Sequence, residues 1–162
     1  MSKLYVDEIR HSGGAVAAMQ FDSSGRILTP ARPAFRGRRA DVAVTNYTTE
    51  TDMANYTEVF DIGGGFNPTT GIYTVPVTGL YHINFNLTHG SVASATDMTA
   101  RLYINTGDFQ IRNDPQAGTS VSLCYSSVRN LTAGDELKVT LIVVGDTAVS
   151  INDMDFSGYL VG

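Results

Sequence analysis

Apolar and polar residues alternate with a period of two along most of residues 35–162. In the segment 80–88, polar residues stand between the apolar ones, which are Tyr81, Ile83, Phe85 and Leu87. A similar alternation recurs in 98–105, 121–126 and 136–144, and Gly, Asn, Asp and Pro separate the segments. Because successive side chains of a strand point to opposite faces, each segment predicts a strand with one face on a core.

No stretch of useful length has a helical period, which favours an all-β chain. Short strands separated by turn residues are typical of a two-sheet antiparallel sandwich or jelly roll. Antiparallel pairing is expected because no predicted helix could connect parallel strands. The predicted core consists of large residues on the inward faces, namely Phe66, Tyr73, Tyr81, Phe85, Leu102, Leu123, Leu141 and Phe156.

The segment 136–144 is apolar on both faces near its end. Its odd-numbered residues from Leu137 to Val143 form one apolar face, and Ile142 and Val144 make the other face apolar as well. A strand that is apolar on both faces is usually covered on both. We therefore expect a contact between subunits on this strand.

Residues 1–34 form a separate region with few large apolar residues. Turn signals at 11–14 and 22–25 divide it into three short strands, which bury too little area to fold alone. The region therefore needs a partner, either copies of itself or another protein. A proline-containing joint at 29–33 separates this leader from the head, residues 35–162. The residues expected to attach the leader are Leu4, Val6, Ile9, Val16, Phe21, Ile27 and Leu28.

The chain of 162 residues is long enough for one domain with a core, and its net charge is −5. Without a general excess of basic residues, we expect neither a nucleic-acid partner nor binding to an anionic membrane. We interpret the local cluster Arg36, Arg38 and Arg39 as a solvated strand edge. No apolar segment is long enough for a signal peptide or a transmembrane span. We therefore expect no membrane insertion, and synthesis in a reducing cytoplasm.

The residues that could carry chemistry do not form a recognisable catalytic or metal-binding pattern. The histidines His11, His82 and His89 have no partner at metal-ligand spacing. The single cysteine, Cys124, is expected to be a small half-buried thiol rather than a nucleophile. The glycines at 63–65 predict a flexible turn, because no phosphate-loop lysine follows them.

A pair of carboxylates, Asp153 and Asp155, would share one face of a strand, where oxygen ligands could hold a calcium ion. A solvated turn is the simpler interpretation of this pair. The sequence therefore predicts no enzyme activity and no cofactor.

Three segments resemble the globular head of complement component 1q, within the tumour necrosis factor-like jelly-roll superfamily. The first contains Phe66, Asn67, Thr70, Gly71, Tyr73, Pro76, Gly79, Leu80, Tyr81 and Phe85. The others are Leu131–Leu137 and Phe156–Leu160, the latter matching the closing strand of the family. The resemblance covers about residues 34–162 and implies about ten strands in two sheets and a bell-shaped trimer.

The chain departs from animal members of that family, which have a signal peptide and a collagen-like repeat. In place of the repeat stands the leader. Its sequence resembles the N-terminal leader of bacteriophage structural proteins, especially those of marine and cyanobacterial phages. This second resemblance implies attachment of a trimeric head to a virion.

We therefore expect a non-enzymatic bacteriophage virion protein, made in the host cytoplasm. It would be a homotrimeric appendage, either a capsid decoration or head fibre or a short tail-fibre or knob component, anchored by residues 1–34 to another virion protein. The alternative is a head that binds a host receptor or glycan. The loops at 89–97 and 106–119 would face outward, with Asn113 and Asp114 as candidate contact residues.

Overall fold

A computed structural model describes residues 6–45, 47–90, 97–113, 120, 122–145 and 149–161. The strands in these ranges are, in chain order, β1 (Glu8–Ile9), β2 (Met19–Phe21), β3 (Ile27–Leu28), β4 (Ala34–Thr45), β5 (Thr51–Asp52), β6 (Thr57–Ile62), β7 (Phe66–Asn67), β8 (Ile72–Thr74), β9 (Gly79–His89), β10 (Asp97–Ile104), β11 (Gly107–Asn113), β12 (Ser122–Leu131), β13 (Glu136–Val144) and β14 (Val149–Leu160). The described part of the chain contains no helix that is long and apolar enough to cross a bilayer.

The strands form three antiparallel sheets. The head contains a five-stranded sheet in the order β12-β9-β14-β4-β6 and a six-stranded sheet in the order β11-β10-β13-β8-β7, with β5 beside β13. The leader contains the sheet β1-β2-β3. The predicted all-β, two-sheet jelly-roll class of the head is therefore confirmed.

The core fills the space between the two sheets of the head. The eight residues predicted for it, Phe66, Tyr73, Tyr81, Phe85, Leu102, Leu123, Leu141 and Phe156, are all buried. Phe35 stacks on Tyr73 with ring centroids 3.9 Å apart and meets Phe156 edge-on at 4.9 Å. Such aromatic contacts add to the free energy gained by burying large apolar side chains.

The turn between β7 and β8 requires glycine at position 71. The Gly71 amide donates to the carbonyl of Asn67 at 2.8 Å, and Gly71 has a φ of 73°. A Cβ atom at this position would lie 2.0 Å from the carbonyl oxygen of Met53. Both the backbone torsion and the lack of space therefore exclude larger residues.

The glycines at 63–65 lie in the turn that precedes β7. Gly63 and Gly64 have φ values of 109° and 68°. The Asp61 carboxylate accepts hydrogen bonds from the amides of Gly65 at 3.3 Å and Phe66 at 2.8 Å. The predicted turn is present, and the Asp61 side chain is hydrogen-bonded to the end of the turn that leads into β7.

The prediction of an outward loop at 106–119 is wrong for residues 107–113, because these residues form β11. This strand pairs with β10 along its whole length, from Gly107 opposite Ile104 to Asn113 opposite Met98. The alternation of Phe109 and Ile111 is short, which explains why the sequence pattern did not indicate a strand.

The leader joins the head at one end of the sandwich, which we call the base. The amide of Leu160, at the end of β14, donates to the carbonyl of Pro33 at 2.9 Å. Next to it, the Val161 amide donates to the carbonyl of Leu80 at 2.6 Å. The opposite end, where β9 ends at His89 and β11 at Asn113, is called the tip.

Candidate functional site

One cross-strand row runs over the outward face of the five-stranded sheet, the face opposite the core. Val128 pairs with His82, which pairs on its other side with Tyr159. Tyr159 pairs with Ala34, and Ala34 pairs with Ile62. Because the register is continuous, these residues lie side by side across all five strands.

Large apolar side chains lie along this row and next to it. They are exposed by between 41% and 54%, although the alternation of each strand would favour polar residues on an outward face. We call them the apolar band, and its members are Phe60, Ile62, Leu80, Val128 and Tyr159. The band lies at the base, where the leader joins the head. Exposed apolar side chains clustered in this way are typical of protein–protein contact sites.

A half-buried histidine, His82, lies between two members of the apolar band, Val128 and Tyr159. The Nε2 atom of His82 is 2.9 Å from the hydroxyl oxygen of Ser126. The His82 ring also lies 5.2 Å from the ring of Tyr159. Both contacts hold the aromatic pair against the sheet, so Tyr159 offers a fixed surface.

Apart from Phe60 on the edge strand β6, which pairs with Arg36, the neighbouring rows towards the tip are mostly polar and contain ion pairs. Arg36 donates to the Asp155 carboxylate at 2.6 and 2.9 Å, and Arg38 donates to Asp153 at 3.1 Å. These contacts join β4 to its neighbour β14. The outward face is therefore divided into an apolar part at the base and a charged part towards the tip.

These ion pairs correct two interpretations made from the sequence. Arg36 and Arg38 do not lie on a sheet edge, because β4 is placed between β14 and β6. Asp153 and Asp155 lie in strand β14 and not in a turn. Each side chain has its partner 115 or 119 positions away, a distance at which local sequence gives no pairing signal.

Cys124 lies in the polar part of the same face and is exposed, so the expectation of a half-buried thiol is wrong. Its Sγ atom donates to the Oδ1 atom of Asn86 at 3.3 Å. In the next row towards the tip, the hydroxyls of Thr88 and Ser122 are 2.7 Å apart. Cys124 alternates with inward-facing Leu123, so its exposure follows from the register of β12.

The six-stranded sheet has a shallow polar groove on its outward face. Glu50 accepts the hydroxyl of Thr140 at 2.6 Å and also pairs with Arg101. Lys138 donates to Asp52 at 2.8 and 2.9 Å and lies 5.7 Å from the ring of Tyr103. Burial would raise the pKa of Glu50, but hydrogen bonds from Thr140, Arg101 and Tyr103 lower it overall. The groove is thus a set of mutually bonded polar side chains.

The histidines lie at separate places in the molecule. His11 accepts the Gly13 amide within the leader at 3.2 Å, and His82 lies in the apolar band region. His89 is fully buried at the tip end of β9, and its Nδ1–H donates to the carbonyl of Gly90 at 2.5 Å. Among the described residues, no three His, Cys, Asp or Glu side chains come together in a group that could hold a metal ion.

The residues predicted for surface contact have different positions. Of the leader residues, Leu4 is outside the described ranges, and the other six are exposed: Val6, Ile9, Val16, Phe21, Ile27 and Leu28. Asn113 ends β11 at the tip, and Asp114 is outside the described ranges. In the predicted loop 89–97, both His89 and Gly90 are buried, and residues 91–96 are outside the described ranges.

Sequence reasoning missed the apolar band because its members come from four strands. One local signal existed, since Leu80 precedes the inward-facing Tyr81 and so must face outward. A second was Val128, which follows Ser126 and Ser127 at an outward position of β12. Neither signal indicates a contiguous surface until the strand order is known.

Comparison with known proteins links the head to one structural family. The family model of the C1q domain matches residues 37–161. A search of curated protein sequences found no match. Among solved structures, the globular domain of the zebrafish complement 1qA protein is similar, with a TM-score of 0.63 and 18% identity over 81% of this chain and 98% of that chain.

Two further solved structures are similar in fold. The PRD1 vertex protein P5 has a TM-score of 0.62 and 18% identity, over 94% of this chain and 86% of that chain. Murine APRIL has a TM-score of 0.53 and 15% identity, over 78% of this chain and 98% of that chain. At these identities the similarity shows the fold alone.

Proposed function

The chain belongs to the C1q domain family. From this membership, the sequence of the leader and the similarity in fold with a phage vertex protein, we propose that it is a non-enzymatic virion structural protein of a bacteriophage. It would act as a homotrimeric appendage, anchored to another virion protein through residues 1–34. Domains of the C1q and tumour necrosis factor families form homotrimers and are generally binding or structural modules. The proposal divides the chain into an attachment leader and a head, residues 35–162.

The apolar band is the observation that carries the proposal of a trimer. Tyr159, Leu80 and Val128 stand on an outward sheet face and yet are exposed apolar residues. A second copy of the head would remove them from water, and each square ångström of apolar surface buried contributes about 25 cal/mol. The polar rows near Arg36 and Asp155 would lie at the rim, where charged pairs fix register more than they add affinity.

The similarity with the vertex protein of phage PRD1 supports the virion part of the proposal. That similarity extends over more of this chain than the similarity with the zebrafish domain does. The base position of the leader also suits an anchor, because it leaves the tip pointing away from the attachment point. Three leaders on one trimer would raise the strength of attachment through effective concentration, although each contact alone is weak.

Light scattering of the full chain, coupled to size exclusion, tests the trimer. We expect a mass three times the 17.4 kDa of one chain at micromolar concentration. Val128→Glu places a charge in the apolar band and should lower the mass to that of one chain. A monomeric mass for the unchanged protein would contradict the proposal.

Val144→Glu is the matched control, because Val144 is also an exposed valine but lies on the six-stranded sheet. We expect it to keep the trimer mass. The reverse result, with Val144→Glu monomeric and Val128→Glu trimeric, would move the interface to β13, the strand that the sequence pattern indicated for subunit contact.

A second candidate function is adsorption to a host receptor or glycan by the tip. The position of the tip, opposite to the base and the leader, favours it. Substituting Asn113 by Ala in phage particles separates the two functions. Lost cell binding with intact particle assembly would support adsorption, and unchanged binding would support a structural appendage alone.

A further inference from the structure

In the leader sheet, the paired residues of one face are all apolar. Ile9 pairs with Met19, and Phe21 pairs with Ile27. Met19 and Phe21 are two positions apart in β2, so all four side chains lie on the same face. Ile9, Phe21 and Ile27 are exposed by 51%, 37% and 60% in the single chain. We call these four residues the leader apolar face.

The opposite face of the same sheet has a different character. Glu8 pairs with Gln20, and Gln20 pairs with Leu28. Glu8 also forms an ion pair with Arg10 at 2.9 Å. Among the paired residues of this face, Glu8 and Gln20 are polar, and Leu28 is apolar. The leader sheet is thus amphipathic, because the paired residues of one face are apolar and those of the other face are mostly polar.

This sheet cannot supply its own core. Within residues 6–28, which contain the three strands, the buried apolar residue is Ala17, and it is too small to stabilise three short strands. An isolated sheet of this size is marginal in water unless its apolar face packs against something. We therefore expect that a partner covers the leader apolar face.

The geometry of the joint selects a second copy of the leader as that occupant. Five residues, 29–33, connect β3 to β4, and a chain of that length spans at most about 18 Å. Pro33 is fixed to the base through the amide of Leu160, close to Tyr159 of the apolar band. A trimer joined at the base would bring three leaders within reach of each other.

We propose that the three leaders of a trimer pack their apolar faces, formed by Ile9, Met19, Phe21 and Ile27, against one another as a three-fold stem below the head. This inference rests on the proposed homotrimer. The outward face of the stem, with Glu8, Arg10 and Gln20, would then meet the virion protein. Attachment and trimerisation would use opposite faces of one small sheet.

Cross-linking of single cysteines tests the stem. In a Cys124→Ser background, Ile27→Cys places a thiol on the leader apolar face, and Leu28→Cys places one on the opposite face of the same strand. A short bismaleimide should join Ile27→Cys chains in pairs, up to about two chains in three because one linker joins two thiols. We expect Leu28→Cys to remain at the level of the Cys124→Ser parent.

Light scattering of the same variants separates this inference from the proposed function. A trimer mass with no more cross-linking at Ile27→Cys than at Leu28→Cys overturns the stem and leaves the trimeric head intact. A trimer mass with equal, strong cross-linking at both positions also overturns it, because the leaders would then be close without sharing a face. A monomer mass overturns the proposed function itself.

Limited proteolysis gives a second, independent measurement. Phe21→Glu should open the stem and raise the rate of trypsin cleavage after Arg10 roughly tenfold, with the trimer mass of the head unchanged. Leu28→Glu also replaces an exposed apolar residue by the same charge, but on the opposite face, and should change that rate less than about twofold. Equal rates for the two variants would contradict the stem.

Discussion

The head and the leader are both made of antiparallel strands, but they place their large side chains differently. In the head, Phe35, Phe85 and Phe156 are fully buried between two sheets. In the leader, Phe21 and Ile27 lie on a single sheet and are exposed. A domain that buries its apolar residues within one chain is stable before assembly, whereas a region that leaves them exposed becomes stable only in a complex.

The largest effect should come from the core of the head. Phe156→Ala removes a ring that packs against Phe35 and Phe66, and we expect a loss of about 3–5 kcal/mol in the free energy of unfolding. Phe21→Ala in the leader is the matched change. Denaturant unfolding measured by circular dichroism checks both, and equal losses would mean that the two regions do not differ as described.

A smaller loss of stability is expected when either of two head glycines with a positive φ is replaced by alanine, and the loss should differ between them. Gly71→Ala combines strain from a φ of 73° with a clash against the carbonyl of Met53, and we expect a loss of about 2–4 kcal/mol. Gly134 has a φ of 94°, and a Cβ atom added there would meet nothing within 4 Å. Gly134→Ala should therefore lose only about 1–2 kcal/mol in thermal unfolding, and a larger loss than for Gly71→Ala would contradict this interpretation of the crowding.

A hydrogen-bonded carboxylate at the base, Asp135, leads us to expect that the stability of the head falls in acid. Asp135 accepts the side-chain amide of Asn105 and the backbone amide of Thr132, each at 2.8 Å. These bonds hold the pKa of Asp135 below its ordinary value of 3.8. Folding therefore favours the charged form, and this stabilisation is present above about pH 4 and lost as the pH falls through the lowered pKa.

Asp135→Ala should lower the free energy of unfolding by about 1–2 kcal/mol at pH 7. The difference between the variant and the unchanged protein should shrink as the pH falls below 4. Urea unfolding at a series of pH values measures this difference. A constant difference down to pH 2 would show that the charge of Asp135 is not the cause.

The smallest effect is expected for the leader itself. Phe21→Ala should change the free energy of unfolding of the head by less than about 0.5 kcal/mol, because Phe21 lies in a separate sheet. Differential scanning calorimetry of the full chain and of the variant provides the measurement. A shift of the main transition comparable to that of Phe156→Ala would mean that the leader and the core unfold together.

The fold of the head could be predicted because its strongest signal is local. In β9, Tyr81, Ile83, Phe85 and Leu87 alternate with polar residues, and the inward face of a strand follows from that spacing alone. The surface that we assign to self-association could not be predicted in the same way. Ile62 and Tyr159 lie in one cross-strand row only through the strand order β14-β4-β6, which depends on contacts between distant parts of the chain.

The residues whose interpretation from the sequence was wrong also depend on how distant strands pair. Arg36 and Asp155 are each ordinary polar residues of an outward strand face, and their pairing depends on the register between β4 and β14. Cys124 is exposed because Leu123 takes the inward position next to it. Periodicity predicts that a residue belongs to a strand, but tertiary pairing decides what lies beside it.

The place of β14 in the five-stranded sheet has a consequence for biosynthesis. It lies between β9 and β4, although β4 leaves the ribosome more than a hundred residues earlier, since Arg36 and Asp155 are 119 positions apart. Until β14 arrives, β4 and β9 each carry an open edge that invites pairing with other nascent chains. A chain that is cut short before Val149 therefore lacks the strand that joins β4 to β9, and we expect such a chain to aggregate rather than fold.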